Sequence, residues 1–428
     1  MSSADAPTEP DENTAEPETS AEPEAPPAPL LTLRDGLPRV TDTDEALRSA
    51  CAAITAGSGP IGIDAERASG YRYSNKAYLI QLRREGSGTW LIDPIGLSTV
   101  APLQQALQST DWILHAATQD LPCLGEIGIR PRATLFDTEL AGRLLGYPRV
   151  GLATLVEKVL GYSMLKEHSA ADWSTRPLPE SWLEYAALDV EVLVELRDAL
   201  AGELEAAGKE EWARQEFEYL RSFQPPTRVE AWRRTSGTHK VRSRRGLAAV
   251  RELWEARDAI AQQRDVTPGR VLPDSAIIAA AVEMPTDRSA LLSTKGFHGR
   301  GAERYSSRWG AAIKRAAELP EDELPTRAPR GDGPPTPRAW AERDPVAARR
   351  LALARDAIAE LSERLHVPVE NLLTPDYLRR TLWTPPSTRQ PGDLIDDVTA
   401  QLSTYGARGW QIALTAPLLT TAILDAEA

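Results

Sequence analysis

One hexapeptide occurs twice in this chain. Ala256-Arg257-Asp258-Ala259-Ile260-Ala261 returns as Ala354-Arg355-Asp356-Ala357-Ile358-Ala359, 98 positions further on. Two shorter echoes follow in the same order. Leu272-Pro273-Asp274 is answered by Thr374-Pro375-Asp376, and Gly299-Arg300-Gly301 by Gly406-Ala407-Arg408-Gly409. A single six-residue match could be chance; ordered matches at near-constant offset point to a duplicated module. Neither copy holds a convincing strand. Gly246–Gln263 sets Leu247, Val250, Leu253, Trp254 and Ile260 along one side of a helix. Shorter helical runs follow at 273–283 and 287–293, then a Gly-rich turn and a helix to about Leu319. The spacing therefore predicts two small all-α units, 228–324 and 338–428, joined by a proline-rich linker at 325–337. Two copies are too few for a solenoid.

The preceding segment is of another kind. Pro60–Asp64, Tyr78–Leu82, Thr89–Asp93 and Trp112–His115 are short apolar or β-rich runs that read as strands. Helical patterns follow at 100–108, 119–127, 136–145, 151–160 and 180–206. Residues 34–227 are thus expected to form an α/β domain, a mixed sheet flanked by helices. With the two helical units this agrees with the roughly three domains that 428 residues suggest.

The formal net charge of −13 argues against a polyanionic partner if taken whole. Its distribution removes that argument. Residues 1–33 carry eight acids and no base and are rich in Pro, Ala and Thr, the composition of a solvated, disordered tail. Residues 34–227 balance at −9, 228–330 at +7 and 331–428 at −3. The basic stretch opens with Arg228, Arg233, Arg234, Lys240, Arg242, Arg244 and Arg245 against a single acid, Glu230. A nucleic-acid contact and a solvated linker both fit that run. Two cysteines exclude a disulfide framework, and no apolar run reaches the roughly 18 residues of a membrane span. Residues Met1–Pro29 lack the basic start and apolar stretch of a signal peptide, so a cytoplasmic protein is expected.

Three carboxylate-bearing motifs stand out. Asp64-Ala65-Glu66 ends an apolar strand, and residues i and i+2 of a strand face the same way. Two carboxylates held side by side repel unless a cation lies between them. Asp120 falls where a strand gives way to a helix, a position a helix cap would also explain. Tyr185 and Asp189 stand at i and i+4 of a helical run and share a face.

Together, Asp-x-Glu, then Asp, then Tyr-x-x-x-Asp resemble the DEDD superfamily of 3′–5′ exonucleases, in the branch with tyrosine in its third motif. Leu135-Phe136-Asp137-Thr138, Lys166, Ser169, Asp172-Trp173 and Arg176-Pro177-Leu178 resemble the intervening segments of ribonuclease D. Each helical copy resembles an HRDC domain, the second being degenerate with an insert around Pro385–Pro391. The resemblance covers roughly residues 36–424 and implies an RNase H-like exonuclease domain followed by two HRDC domains.

It also implies a chemistry. A phosphodiester needs its charge neutralised as water attacks, and Mg²⁺ or Mn²⁺ prefers carboxylate oxygen. Two such ions would be held by Asp64, Glu66, Asp120 and Asp189, with Asp64 shared and Tyr185 orienting the attacking water. The product would be a nucleoside 5′-monophosphate, cut from the free 3′ end of structured RNA such as tRNA precursors, by a monomer. A DNA exonuclease and a catalytically silent RNA-binding scaffold are the alternatives. His115 is expected to pack near the second motif, and Asp137 to support a helix start. Lys166 and Arg176 are candidate phosphate contacts. So are Arg300, Arg304 and Arg308, which recur every four residues, as along one helix face, around Tyr305 and Trp309.

Overall fold

The computed structural model describes residues 27–164, 171–227, 229–326 and 333–428. Lys166, Arg228 and acidic residues 1–26 lie outside them. Six strands form one sheet: β1 (Val40–Thr41), β2 (Ser58–Arg67), β3 (Ala77–Glu85), β4 (Gly88–Ile92), β5 (Trp112–Leu114) and β6 (Leu135–Asp137). Their order is β1-β4-β3-β2-β5-β6. β2, β3 and β4 run antiparallel, whereas β5 and β6 run parallel to β2. The sheet is mixed, as the strand and helix pattern predicts.

Alternation along β2 separates core from site. Ile61, Ile63 and Ala65 pack under α1 (Asp44–Ala56), α2 (Ala101–Leu107) and α3 (Leu121–Glu126), against Leu47, Ile54, Leu103 and Leu124. Asp64 and Glu66 therefore face the opposite side. After α4 (Thr138–Leu145) and α5 (Leu152–Leu155), that side is covered by α6 (Glu180–Glu191) and α7 (Leu193–Ala206). A glycine lets these helices approach: a Cβ on Gly62 would lie 3.1 Å from the Leu193 Cβ.

α8 (Glu210–Arg221) packs on β6, α4 and α7 and completes the α/β domain. The first helical unit comprises α9 (Arg244–Arg264), α10 (Pro268–Val271), α11 (Asp274–Glu283), α12 (Arg288–Ser293), α13 (Arg300–Arg304) and α14 (Ser306–Glu318). Leu253, Ile260, Ile277, Phe297 and Trp309 form its own core. The second comprises α15 (Trp340–Arg343), α16 (Pro345–Leu365), α17 (Val369–Leu372), α18 (Pro375–Trp383), α19 (Pro391–Tyr405) and α20 (Gly409–Glu427). Among the described residues no strand occurs past 228. The two units share an order of elements. α9 and α16 are each 21 residues long, and each is followed by a single helical turn and a third helix.

Both units are fastened to the α/β domain. Asp265 accepts the backbone N–H groups of Tyr73 (3.2 Å) and Ser74 (2.8 Å) and the Tyr78 hydroxyl (3.2 Å). The Tyr73 hydroxyl donates to Asp258 at 3.0 Å. The second unit shares a continuous core with the back of the α/β domain, where Leu144, Leu200 and Phe217 meet Trp340, Ile358 and Leu419. The buried Lys209 ammonium donates to Leu144 O (2.6 Å) and Leu365 O (2.7 Å), so one side chain caps a helix end from each domain. Arg408 and the Trp410 indole N–H both reach Glu216, at 2.6 and 2.8 Å.

Two expectations need correction. The tail expected over 1–33 ends sooner: Leu31 is buried in the shared core, and its N–H bonds Ser163 O at 2.8 Å. Leu31 alone docks, while Leu30 stays half exposed. Arg300, Arg304 and Arg308 do not lie on one helix, because the backbone breaks at Tyr305 between α13 and α14. The break lets Tyr305 turn onto the buried Trp309, ring to ring at 6.1 Å, and the Arg304 and Arg308 guanidinium groups both lie over the Tyr305 ring.

Candidate active site

β2 runs through the middle of the sheet and delivers Asp64 and Glu66 at its end. Its parallel neighbour β5 stops at Leu114, and the chain then turns sharply, with Ala116 at φ 58°. That left-handed backbone is costly for a residue with a Cβ. It is held by Asp137, whose buried carboxylate accepts the N–H groups of Ala116 (3.2 Å), Ala117 (2.8 Å) and Leu140 (3.1 Å). Asp137 thus caps α4, as expected from sequence, and also fixes the turn that presents Asp120. Asp120 stands at the N-terminus of α3 but makes no side-chain cap bond there; its carboxylate, 5% exposed, lines the cleft instead. From above, α6 brings Tyr185 and Asp189 down on one face, the hydroxyl bonded to the carboxylate. Trp173, wholly buried against Trp182, seats the segment leading into α6.

These five side chains line one cleft of about 510 Å³. Carboxylate oxygens of Asp64, Glu66 and Asp189 lie within 4.8 Å of one another. Burial pushes all four carboxyls above their ordinary range, and mutual repulsion adds to it: Glu66 is raised further by Asp64, Asp189 and Asp120. An all-oxygen cluster short of positive charge is what a hard divalent cation requires. Burial, then Asp189, also raises Tyr185, so its hydroxyl keeps its proton.

His115 lines the same cleft and bonds Thr138 Oγ1 through Nδ1 at 2.9 Å. Thr138 in turn donates to Leu114 O, which leaves its oxygen as acceptor and puts the imidazole proton on Nδ1. Burial lowers His115 to about 4, so the ring is neutral at pH 7.

Arg176 is not placed for a phosphate. Its five N–H donors are spent on Asp93 (2.5 and 2.7 Å) and on the carbonyls of Tyr78, Trp173 and Thr175. It pins the segment before α6 to the sheet. Lys166 lies outside the described residues. Sequence reading missed Arg67, Gln119 and Glu139, which also line the cleft. The pairing of β2 with β3 slips here because β3 carries an extra residue, Tyr78, so Arg67 pairs with Ala77 and keeps to the face opposite Glu66, at the rim of the cleft.

Comparisons with known proteins agree with this architecture. A family model described as 3′-5′ exonuclease matches residues 38–205, and one described as HRDC domain matches 246–313. Ribonuclease D of Escherichia coli K12 is 33% identical over 292 residues, covering 66% of this chain and 76% of that protein. The chain belongs to the ribonuclease D family. This makes it a 3′–5′ exoribonuclease, and neither a DNA exonuclease nor a silent scaffold is favoured. A crystal structure of a Bifidobacterium adolescentis protein, 38% identical, superposes with a TM-score of 0.85 over 92% of this chain and 99% of that one. The structure of Escherichia coli RNase D, described as an exoribonuclease involved in structured RNA processing, superposes at 0.67 with 26% identity, over 90% and 98%. The DEDD exonucleases to which the family belongs depend on divalent metal. The second helical unit, residues 333–423, matches a different model, the 3′ to 5′ exonuclease C-terminal domain. One HRDC domain is therefore established, not two. Among the described residues no helix is long and apolar enough to cross a membrane.

Proposed function

We propose that the cleft hydrolyses the 3′-terminal phosphodiester of RNA with two divalent ions, Mg²⁺ or Mn²⁺. The observation that carries this is the gathering of Asp64, Glu66, Asp120 and Asp189 around one cleft with Tyr185 bonded to Asp189. Asp64, between the others, would serve both ions, with Glu66 and Asp189 on one and Asp120 on the other. When bound, the ions neutralise the phosphate and acidify the attacking water. The chain's own groups do the rest. Tyr185 keeps its proton and is tied to Asp189, so it orients water as a hydrogen-bond partner and does not act as a free base. Asp137 holds the Ala116 turn and with it the reach of Asp120. His115, neutral and bonded to Thr138, shapes the wall.

The leaving group is the 3′ oxygen of the shortened RNA, and the product a nucleoside 5′-monophosphate. The substrates are structured RNAs with a free 3′ end, tRNA precursors among them, processed by a cytoplasmic monomer. The +7 segment supplies backbone affinity, with Arg304 and Arg308 beside Tyr305 and Arg300 opening α13. The second helical unit is a diverged copy of the first.

One assay tests the reading. RNA and DNA labelled at the 3′ or the 5′ end are incubated with Mg²⁺, Mn²⁺ or EDTA. Asp64→Asn is expected to lose hydrolysis by at least about a thousandfold and to bind RNA within a few-fold of wild type. Cleavage by the variant at the wild-type rate, or cleavage in EDTA, overturns the proposal.

A further inference from the structure

We infer that His115 is a specificity-determining residue that accepts a hydrogen bond from the 2′-hydroxyl of the 3′-terminal ribose. Given the proposed hydrolysis at the same cleft, on which this inference rests, that contact tells RNA from DNA. His115 lines the cleft with one edge of its ring committed and the other free. Thr138 donates its own proton to Leu114 O at 3.3 Å, so its oxygen accepts the His115 Nδ1 proton, at 2.9 Å. A neutral imidazole carries one proton, and Nε2 is left as a bare acceptor. Among the described residues Nε2 has no partner, and it is not sealed from solvent. Such a lone pair repels a phosphate oxygen and suits a hydroxyl. The 2′-hydroxyl is the group that separates RNA from DNA.

The sheet sets His115 on the side of the carboxylates where the last nucleotide lies. β2 and β5 are parallel, with Gly62 beside Ile113, and two residues further along each chain stand Asp64 and His115. Ile113 packs with Val190 and Leu193, on the face that α6 and α7 cover. His115, one period on, follows it to that face, and its place in the cleft agrees. Beyond β5, Phe136 of β6 pairs with Ile113, and two residues later comes Thr138, the partner of Nδ1. The strands thus run β3-β2-β5-β6 across the site. The basic helical unit is seated on the loop between β2 and β3, through Asp265 on Tyr73 and Ser74. RNA held by that unit enters from the β3 side and passes the carboxylates at the end of β2. The nucleotide to be released then lies over the end of β5, where His115 stands. Glu139, further along at the start of α4, already takes Arg143 at 2.6 Å.

The test compares a short single-stranded RNA with two versions altered only in the last sugar, one 2′-deoxy and one 3′-deoxy. Turnover is measured with Mg²⁺. Product binding is measured by calorimetry with Ca²⁺, as AMP against 2′-deoxy-AMP. Wild type is expected to release the 2′-deoxy nucleotide with kcat/KM about tenfold lower, and to bind 2′-deoxy-AMP about tenfold more weakly than AMP. His115→Ala should cut the all-ribose substrate more slowly by a similar factor and lose nothing further on the 2′-deoxy version. Its penalty on the 3′-deoxy version should equal that of wild type. His115→Gln, which restores an acceptor oxygen, should regain part of the preference. Each readout is a ratio taken on one protein, so a general loss of activity does not move it. Equal 2′-deoxy ratios in wild type and His115→Ala overturn the inference, as does a wild type without the preference. So does a His115→Ala effect confined to the 3′-deoxy version. The result is separate from that of Asp64→Asn: an active Asp64→Asn sinks the hydrolytic reading, and an unchanged ratio sinks only the role of His115.

Discussion

Removing the Asp137 carboxylate should disable the enzyme although it touches neither substrate nor ion. Three backbone N–H groups end on it, two of them from the turn at Ala116 and Ala117. Asp137→Ala orphans all three in a site that is 3% exposed. At the low end of the penalty for a buried unsatisfied donor, about 1 kcal/mol each, the loss is about 3 kcal/mol. For a domain of this size that lowers Tm by roughly 6–12 °C. The larger effect falls on geometry. Ala116 at φ 58° costs about 1–2 kcal/mol relative to ordinary backbone, and the two N–H bonds are what hold it there. Freed, the turn relaxes and carries Asp120 away from Asp64. Mn²⁺ affinity by calorimetry and RNA turnover, both at a temperature well below the lowered Tm, should therefore drop at least about tenfold. Asp137→Asn, which keeps one acceptor oxygen, should lie between. If Asp137→Ala melts within 2 °C of wild type, or melts lower yet binds Mn²⁺ normally, the carboxylate does not hold the turn and the reasoning fails.

Lys209→Met should release the second helical unit from the α/β domain, since two carbonyls at helix ends lose a charged donor; a loss of about 3 kcal/mol, read as a lower Tm and as new protease cleavage between residues 325 and 345, is expected. An unchanged melting curve contradicts it. Ion affinity should rise with pH. The carboxyls are raised in the ion-free cleft, with Asp64 at about 6, so each ion must expel protons on binding. Calorimetry in buffers of different ionisation heat should show that release, and an affinity flat between pH 6 and 8 argues against the shared cluster. The same shift makes the ion-free fold more stable in mild acid. The raised Asp64 contributes fully below its unfolded value of about 3.9, and that contribution is lost as pH rises through about 6.

What was legible in the sequence was whatever depends on local periodicity. β2, β3, β4 and β5 were readable from apolar runs, and Asp64 and Glu66 from the period of a strand. β1 and β6, two and three residues long, carry too few positions to show a pattern. Tyr185 and Asp189 share a face because they are four apart on one helix. Arg176 was misread because its fate is set by Asp93, 83 residues away, and no local rule reports a partner at that distance. The Arg300–Arg308 series was misread because a break interrupts a helix whose spacing looked continuous.

The two helical units, proposed above to be diverged copies, are seated on the α/β domain in different ways. Each long helix ends in the same way. Asp265 (φ 45°) and His366 (φ 51°) are left-handed caps, and the following Val266 and Val367 each send their N–H back five residues, to Ala261 O (3.1 Å) and Ser362 O (3.2 Å). That turn is the docking point in both copies. In the first, the Asp265 side chain takes the N–H groups of the loop that leaves β2. In the second the backbone itself docks: Leu365 O receives Lys209, and His366 O lies so close to Gly146 that a Cβ there would sit 2.5 Å away. The first contact is confined to a few hydrogen bonds; the second adds Arg408 and Trp410 on Glu216 and a continuous apolar core. The unit fixed through Asp265 stays attached to the loop that follows Glu66. On the proposed function, the basic unit that would hold RNA is joined to the carboxylates through eight residues of chain, Ala68 to Asn75.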